Sequence, residues 1–406
     1  MKRVITLALT VLLVLSMVSC GGSTTPTTTA APATTAAPTT TAAPAVTTAA
    51  PAAPAATTAA PAAAATTVAA TTATEAVKHD PIHINIYTFS NGTFAYVMGM
   101  AWAELINENS DWITATAIEG QSSGTNELMM YDNPNMRANT IYYGVGNMAW
   151  KGFGDFVDKQ NTRSKMVTCI GLIGNALVTM DPEIETLQDF VDKKKVMLQT
   201  APRTQQQNGY NDALYKGATT GEMVYEYLDA NGRTEAILSG RASGAVGVSY
   251  AMKPDLSEWV GNPATQEMFA RANYIKFINF PREVDQVLQN DPNSVYYQHS
   301  MSVETVPAFA FHPQQTEPLN IEVTGAFFMA DEDMNPDLVY EVLSIFGENH
   351  AALADFHPQA SALSHEIMGL HTFPSEFHPG AMRYLNEKGV TPQHCRDYML
   401  GILGRN

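Results

Sequence analysis

The sequence predicts an α/β protein of two lobes joined by a hinge, preceded by a signal peptide and a disordered linker. Strand and helix patterns alternate after residue 78, and such alternation favours a parallel sheet covered by helices. The region from 78 to 406 is too long for one small core and suits two lobes of ordinary size. The residues before it combine a short apolar segment with a tract rich in threonine, alanine and proline.

The N-terminus has the pattern of a lipoprotein signal peptide. A short basic start precedes an apolar run over residues 4–18, which is shorter than the roughly 20 residues that a membrane-spanning helix needs. The run ends in MVSC, which resembles the bacterial lipobox apart from Met17, where that motif prefers leucine. We therefore predict a signal peptide over residues 1–19 and lipidation of Cys20, with an ordinary cleaved signal or an uncleaved anchor as alternatives.

Residues 20–77 are predicted to form a disordered stalk. Between residues 23 and 74 the chain is almost entirely threonine, alanine and proline, without a charged or aromatic residue. Such a tract buries too little apolar surface to offset its ordering entropy, and its prolines favour extended conformations. The stalk is expected to hold the folded region away from a membrane, on the extracytoplasmic side, and its composition also suits O-glycosylation.

The folded region is predicted to span residues 78–406, with lobe 1 at about 78–175 and 315–406 and lobe 2 at about 176–314. The chain has 23 basic and 40 acidic residues, for a net charge of −17. No basic patch of the kind that binds nucleic acid is visible, so nucleic acid is not an expected partner. No apolar run after residue 20 is long enough to cross a bilayer.

Strands are predicted where β-branched and apolar residues alternate or form short runs. The run at 166–180 is long enough for a strand pair or for one strand that crosses between lobes. Cys169 in this run is predicted to be a buried core thiol, and a disulfide to Cys395 is left open. The predicted strands lie at residues 83–88, 112–118, 139–143, 166–180, 245–249, 274–280 and 320–329.

Helix boundaries follow from capping residues. Asn335 before Pro336 predicts a helix start, because asparagine caps and proline fits the first helical position. Thr391 before Pro392 predicts the start of a last helix in the same way. Gly389 is expected to end the helix that begins near residue 379.

Four segments, in order, resemble the TAXI-type solute receptors of TRAP transporters. They are SNGTFAYVMGMAWAELINENSDW, TAIEGQSSGTNEL, GNPATQEMF and HPQASALSHEIMGLHTFPSEFHPGAMRYLNEKGV, and together they extend over residues 82–390. The resemblance implies a two-lobed periplasmic-binding protein type II fold without enzymatic activity or cofactor. It also implies capture of a small organic anion, often a carboxylate, and delivery to a membrane permease driven by an ion gradient.

The candidate ligand site lies in loops that follow strands and open helices. Such loops offer free backbone N–H groups and the positive end of a helix dipole. Arg203 is expected to pair with a carboxylate, and nearby tyrosines and tryptophans (Tyr142, Tyr143, Trp150, Trp259) suggest a ligand with apolar or ring character. The predicted ligand-binding residues are Asn91, Thr93, Tyr96, Gln121, Ser122, Ser123, Asn147, Arg203, Thr204, Gln205 and Asn262.

Three alternative functions remain open from the sequence. GQSSG after a predicted strand fits the nucleophile elbow of a serine hydrolase, with Ser122 as nucleophile. Six of the ten histidines lie between residues 350 and 394, which raises a metal receptor as a hypothesis, although their spacing does not match usual metal motifs. A sensory lipoprotein with the same binding fold is the third alternative.

Overall fold

A computed structural model describes residues 79–144, 147–203, 206–252, 259–297, 299, 301–371 and 376–402. The predicted signal peptide, Cys20 and the whole predicted stalk lie outside these residues. Thr204, Gln205 and the side chain of Asn147, which the sequence predicts as ligand contacts, are also outside the described part.

Strands and helices alternate along the described chain, as the sequence predicts. The strands are β1 (Ile82–Tyr87), β2 (Ile113–Ile118), β3 (Thr140–Tyr143), β4 (Ser164–Thr179), β5 (Val196–Thr200), β6 (Val224–Leu228), β7 (Gly244–Met252), β8 (Trp259–Gly261), β9 (Lys276–Ile278), β10 (Ser302–Val306), β11 (Leu319–Asp331), β12 (Leu370–His371) and β13 (Gln393–His394). The α-helices are α1 (Phe94–Asn109), α2 (Ser123–Asp132), α3 (Asn147–Lys151), α4 (Leu187–Asp192), α5 (Gln206–Ala218), α6 (Ala230–Leu238), α7 (Pro263–Arg271), α8 (Arg282–Asn290), α9 (Pro336–Glu348), α10 (Leu353–Phe356), α11 (His365–Met368), α12 (Pro379–Glu387) and α13 (Cys395–Ile402). None of these described helices has the length and hydropathy of a membrane-spanning segment.

The main sheet has 11 strands within the described residues and contains two groups of parallel strands. Its order is β2-β1-β3-β11-β4-β7-β5-β6, with β8, β9 and β10 paired beside this path. β1 is parallel to β2 and β3, and β5 is parallel to β6 and β7. The long strands β4 and β11 join the two groups and run antiparallel to each other. This mixed α/β arrangement confirms the predicted fold class.

The apolar run near residue 170 is one strand of 16 residues, which settles the alternative left open by the sequence. Nearly every residue of β4 is buried, so both faces are covered and no polar–apolar alternation marks its middle. Cys169 is fully buried on this strand, as predicted, and its thiol is not joined to Cys395 in a disulfide.

Two buried clusters form the hydrophobic core of the described residues. The larger one includes Trp102 and Phe328, and the indole N–H of Trp102 donates to the carbonyl of Val342 at 2.8 Å. The second includes Phe190 and Tyr210. The exact lobe boundaries given above stay predictions.

The last helix begins later than the sequence predicts. Thr391 and Pro392 precede the short strand β13, which pairs in parallel with β12, and α13 starts only at Cys395. The Nδ1 atom of His394 accepts a hydrogen bond from the backbone N–H of Arg396 at 3.2 Å. The helix starts later because β13 pairs with β12. A local capping pattern contains no information about this pairing.

Candidate functional site

A cavity of about 100 Å³ is lined by residues of both parallel groups and of the long strands β4 and β11. Strand ends and helix starts from distant parts of the chain meet there, which is the usual place for a ligand in an open α/β sheet. Most of its polar wall residues are more than nine-tenths buried, so these side chains are held in place by the packing around them.

The starts of α1 and α2 form one side of the cavity. Thr93 caps α1: its Oγ1 accepts from the backbone N–H of Tyr96 at 3.3 Å and donates to the carbonyl of Ser90 at 2.7 Å. Thr93, the first two residues of α1 and Ser123 at the start of α2 line the wall. The first N–H groups of a helix have no partner within the helix, so this side is a source of hydrogen-bond donors and positive potential.

The second parallel group contributes Thr200 at the end of β5, Gln206 and Gln207 at the start of α5, and Asn262. Asn262 caps α7, because its Oδ1 accepts from the backbone N–H of Thr265 at 2.8 Å. With α1, α2 and α5, a fourth helix start is therefore brought to the same cavity.

The amide of Gln206 is oriented by a buried histidine. His299 accepts at Nδ1 from the backbone N–H of Met301 (3.2 Å), and burial lowers the pKa of His299 to about 3. The neutral ring therefore carries its proton on Nε2, which lies 2.8 Å from the side-chain amide of Gln206. The Gln206 atom at this distance is Nε2, and two N–H donors cannot bond to each other, so we assign the amide in the flipped orientation, with its oxygen toward His299 and its NH₂ on the other side.

Arg233 places a positive charge in the wall. It lies on α6, has an exposed fraction of 6%, and its Nη1 donates to Oγ1 of Thr200. Burial lowers the pKa of Arg233 to about 10, with Asp229 acting in the opposite direction. The guanidinium remains charged at neutral pH and offers a planar set of donors suited to a carboxylate.

Glu322 on β11 is the carboxyl group of the described wall, and its exposed fraction is 0%. Its Oε1 accepts from Asn175 Nδ2 at 2.8 Å and from Gln207 Nε2 at 2.9 Å. Burial raises the pKa of Glu322 to about 7, although these two hydrogen bonds act to lower it. The carboxyl is therefore poised between its neutral and ionised forms near neutral pH.

Aromatic rings form the apolar part of the wall. Phe89, Phe94, Tyr143 and Phe327 line the cavity. Of the four aromatic residues that the sequence associates with the pocket, Tyr143 is on the wall. The others are held elsewhere by contacts of their own: Tyr142 bonds Ser164, Trp150 donates to the carbonyl of Ser164, and Trp259 packs on Phe311.

The structure brings together Thr93, Ser123 and Asn262 among the predicted ligand contacts. Asn91 and Gln121 are exposed on the same loops as Thr93 and Ser123 and are not part of the described wall. Tyr96 is half-buried in the first turn of α1 and is likewise not a wall residue. In this region the wall is formed by Thr93 and the first two residues of the helix.

Arg203 lies away from this cavity. It is exposed and borders a separate surface depression, with its guanidinium 5.9 Å from the ring centroid of Tyr227. Arg233 occupies the place in the wall that the sequence prediction gave to Arg203. A loop arginine after a strand looks suitable in sequence, but the direction of the loop decides where it points, and a solute contact at Arg203 stays a prediction.

Ser122 is a helix cap rather than an exposed nucleophile. Its exposed fraction is 1%, its Oγ donates to Thr125 Oγ1 at 2.8 Å and accepts from the Thr125 N–H at 3.0 Å. No hydrogen bond in the described part joins Ser122 to a histidine base, which the hydrolase alternative requires. Among the described residues, no three His, Cys, Asp or Glu side chains are placed to hold a metal ion.

Arg233 and Glu322 were both missed by sequence reasoning. Arg233 follows Ala230 by three positions and precedes Ile237 by four, so it lies on the buried face of its helix, and this spacing was available in the sequence. Glu322 lies between Ile321 and Val323 in a strand buried on both faces. In such a strand, polar–apolar alternation does not indicate which residues face a cavity.

Comparisons with known proteins complete this description. The sequence profile of the NMT1-like family matches residues 86–389, whereas no curated protein matches the chain. Among solved structures, the chain is similar to a periplasmic transporter, with 11% identity over 82% of this chain and 99% of that chain and a TM-score of 0.43. It is also similar to an R. palustris protein with adipate, with 11% identity over 80% of this chain and 98% of that chain and a TM-score of 0.44. The periplasmic aliphatic sulphonate binding protein of Escherichia coli has 12% identity over 80% of this chain and 84% of that chain, with a TM-score of 0.38. Likeness at this level does not identify a ligand.

Proposed function

Because this chain belongs to the NMT1-like family, we propose that it is an extracytoplasmic receptor that binds a small carboxylate-bearing solute. The observation that carries the proposal is the position of Arg233. A guanidinium with an exposed fraction of 6% lines a cavity of a protein whose net charge is −17. The solute is bound and released unchanged, so the protein acts as a receptor and not as an enzyme.

A buried guanidinium in a cavity wall favours an anionic partner. A guanidinium offers a planar set of N–H donors, and a carboxylate can accept two of them at once in a bidentate, charge-assisted pair. Thr200 already accepts one N–H of Arg233 and fixes its orientation. The carboxylate of the solute is therefore expected to bind Arg233 from the cavity side.

Further donors converge on the same space. The starts of α1 and α2, next to Thr93 and Ser123, supply backbone N–H groups and favourable helix dipoles. Gln206 adds an amide NH₂ that His299 orients. A solute whose acceptors do not match the positions of these donors binds more weakly, which gives the site its specificity.

The aromatic rings of the wall suggest the rest of the solute. Phe89, Phe94 and Phe327 offer apolar surface beside the polar groups. We infer a solute with a hydrocarbon or ring portion attached to its acid group, of a size that suits a cavity of about 100 Å³.

Delivery to a membrane permease of the TRAP type is proposed on the resemblance to TAXI receptors. In this scheme the lobe of about 78–175 and 315–406 and the lobe of about 176–314 close on the solute, and the closed receptor docks on the permease. Solute uptake by vesicles that contain the permease should depend on added receptor; uptake that is unchanged without receptor contradicts this scheme.

Lipid anchoring through Cys20 is a further part of the proposal. Expressed in a bacterium fed labelled palmitate, the wild-type chain is expected to carry the label and to sediment with membranes, because a multiply acylated cysteine holds a protein at a bilayer. Cys20→Ser is expected to lose both properties, and Ser23→Ala in the adjacent stalk to keep both. A Cys20→Ser chain that still carries the label at the wild-type level argues against this site.

A thermal-shift screen tests the proposed function directly. We expect at least one of succinate, adipate and benzoate to raise the melting temperature of the purified protein. A ligand at 100 times its dissociation constant adds about 2.7 kcal/mol to the free energy of unfolding. The matching amides, succinamide, adipamide and benzamide, have the same shapes without the charge and are expected to have little effect.

Two outcomes speak against the proposal. One is a melting temperature that responds to the amides as strongly as to the acids, which means that the anionic group is not recognised. The other is a response to organic cations alone, which means that Arg233 does not set the charge preference of the cavity.

A further inference from the structure

Glu322 is a carboxyl group enclosed in the cavity wall and held on one oxygen only. Its exposed fraction is 0%, and both hydrogen bonds that it accepts, from Asn175 and Gln207, end on Oε1. Both donors are neutral amides. Oε2 is buried without a hydrogen-bond partner, so half of this carboxyl group is unsatisfied in a wall that is otherwise rich in hydrogen bonds.

The two donors indicate which oxygen carries the proton when Glu322 is neutral. Two N–H groups directed at Oε1 require it to be the carbonyl oxygen, so the hydroxyl of the neutral acid is Oε2–H. In the neutral form Oε2 is therefore a donor, and in the ionised form it is a negative acceptor without a partner.

Groups on two packed helices act on Glu322. Asp285 on α8 raises the pKa of Glu322 through like-charge repulsion. Asn211 on α5 lies close and lowers that pKa, although its amide makes no hydrogen bond of normal geometry. Burial has the largest effect and brings the pKa to about 7.

The other titratable neighbours do not supply a positive partner. Tyr210 and Tyr215 on α5 are buried phenols whose own pKa values are raised, chiefly by burial and in part by Glu322. Arg233 lies in the same cavity wall, but the carboxylate that acts on its pKa is Asp229.

We propose that Glu322 takes up a proton when an anionic solute enters the cavity whose wall it shares. The proposal rests on the proposed function, since it requires an anionic solute. The proton comes from solvent and binds Oε2, and no other covalent bond forms or breaks. An anion in the cavity adds a like charge beside Glu322, which favours the neutral acid.

Calorimetric titration with succinate and adipate tests the proposal. Measured at about pH 8 in buffers of different ionisation enthalpy, wild-type protein is expected to take up about one proton per bound solute. Its affinity is expected to be about tenfold weaker at about pH 8 than at about pH 6, because the proton must be bound along with the solute.

Glu322→Gln is the decisive variant, because glutamine resembles the neutral acid. It keeps an oxygen acceptor for Asn175 and Gln207 and places an NH₂ donor where Oε2–H stands. We expect it to bind without proton uptake and with an affinity that changes less than about twofold over the same pH range. Glu317→Gln, at an exposed position, is the matched control and is expected to behave as wild type.

The outcomes separate this inference from the proposed function. Binding by wild type without proton uptake, or uptake that persists in Glu322→Gln, overturns the inference alone. Absence of binding by every acid at either pH overturns the proposed function and the inference with it.

A measurement on the wild-type protein is independent of whether the variant folds. The infrared difference spectrum upon addition of the solute is expected to gain a protonated carboxyl C=O band. Isotopic labelling of the solute carboxyl groups should leave this band in place, since it belongs to the protein. A band that moves with the label overturns the assignment to Glu322.

Discussion

Replacement of Arg233 by methionine is expected to weaken the binding of a carboxylate solute by about 100-fold or more, roughly 3 kcal/mol. The change removes the charged partner of the solute carboxylate from a wall in which Arg233 is almost fully buried. Arg233→Lys keeps the charge without the planar donor set, so its affinity is expected to fall between those of wild type and Arg233→Met. Calorimetric titration with the acid found in the screen gives these affinities.

Arg203→Met is the matched control for this prediction. The same substitution is made in the same half of the molecule, but at an exposed arginine beside Tyr227 that does not line the cavity. We expect wild-type affinity from this variant. Loss of affinity in Arg203→Met together with normal binding by Arg233→Met would mean that the solute binds at the loop of Arg203, as the sequence suggests. Unfolding of the empty Arg233→Met protein near the wild-type temperature shows that lost binding is not lost folding.

Glu322→Gln is expected to stabilise the protein increasingly as the pH rises. The pKa of Glu322 is raised from 4.5 to about 7 in the folded protein. The folded state thus holds a proton that the unfolded chain releases at lower pH. The stabilisation from this proton is complete below 4.5 and is lost as the pH rises through about 7.

Glutamine has no proton to lose, so the variant does not share this decline. Between about pH 4 and about pH 8, the free energy of unfolding of Glu322→Gln relative to wild type is expected to rise by about 3 kcal/mol. Urea unfolding at several pH values measures the difference. A difference that stays constant with pH contradicts the perturbed carboxyl, and Glu317→Gln should show such a constant difference.

The predicted strands illustrate what local pattern can achieve. Ile84 and Ile86 alternate with polar residues in β1, and both are fully buried as alternation requires. Asn335 caps α9 and Pro336 is its first residue, as predicted from the capping preferences. The start of α13 was placed wrongly because the segment after Thr391 pairs with a strand that begins at Leu370, and no local pattern contains that partner.

The candidate site was predicted only in its helix starts. Thr93, Ser123 and Asn262 lie at helix starts. Both their polar side chains and their positions between a strand and a helix can be seen within a short stretch of sequence. Arg233 and Glu322 carry the charge of the cavity, yet each lies inside a regular element where sequence suggests ordinary structural residues. The position of Glu322 in the wall depends on hydrogen bonds from Asn175 and Gln207, which lie more than 100 residues away in the sequence.

The sequence by itself determined the α/β class, the order of the elements, the caps of several helices and the buried thiol at Cys169. These features depend on periodicity and on preferences of a few adjacent residues, which any reader of the chain can see. The tertiary structure alone decided that Arg233 and Glu322 share one cavity wall and that Arg203 does not. Periodicity tells which face of an element is buried, but only the packed sheet determines which buried faces meet.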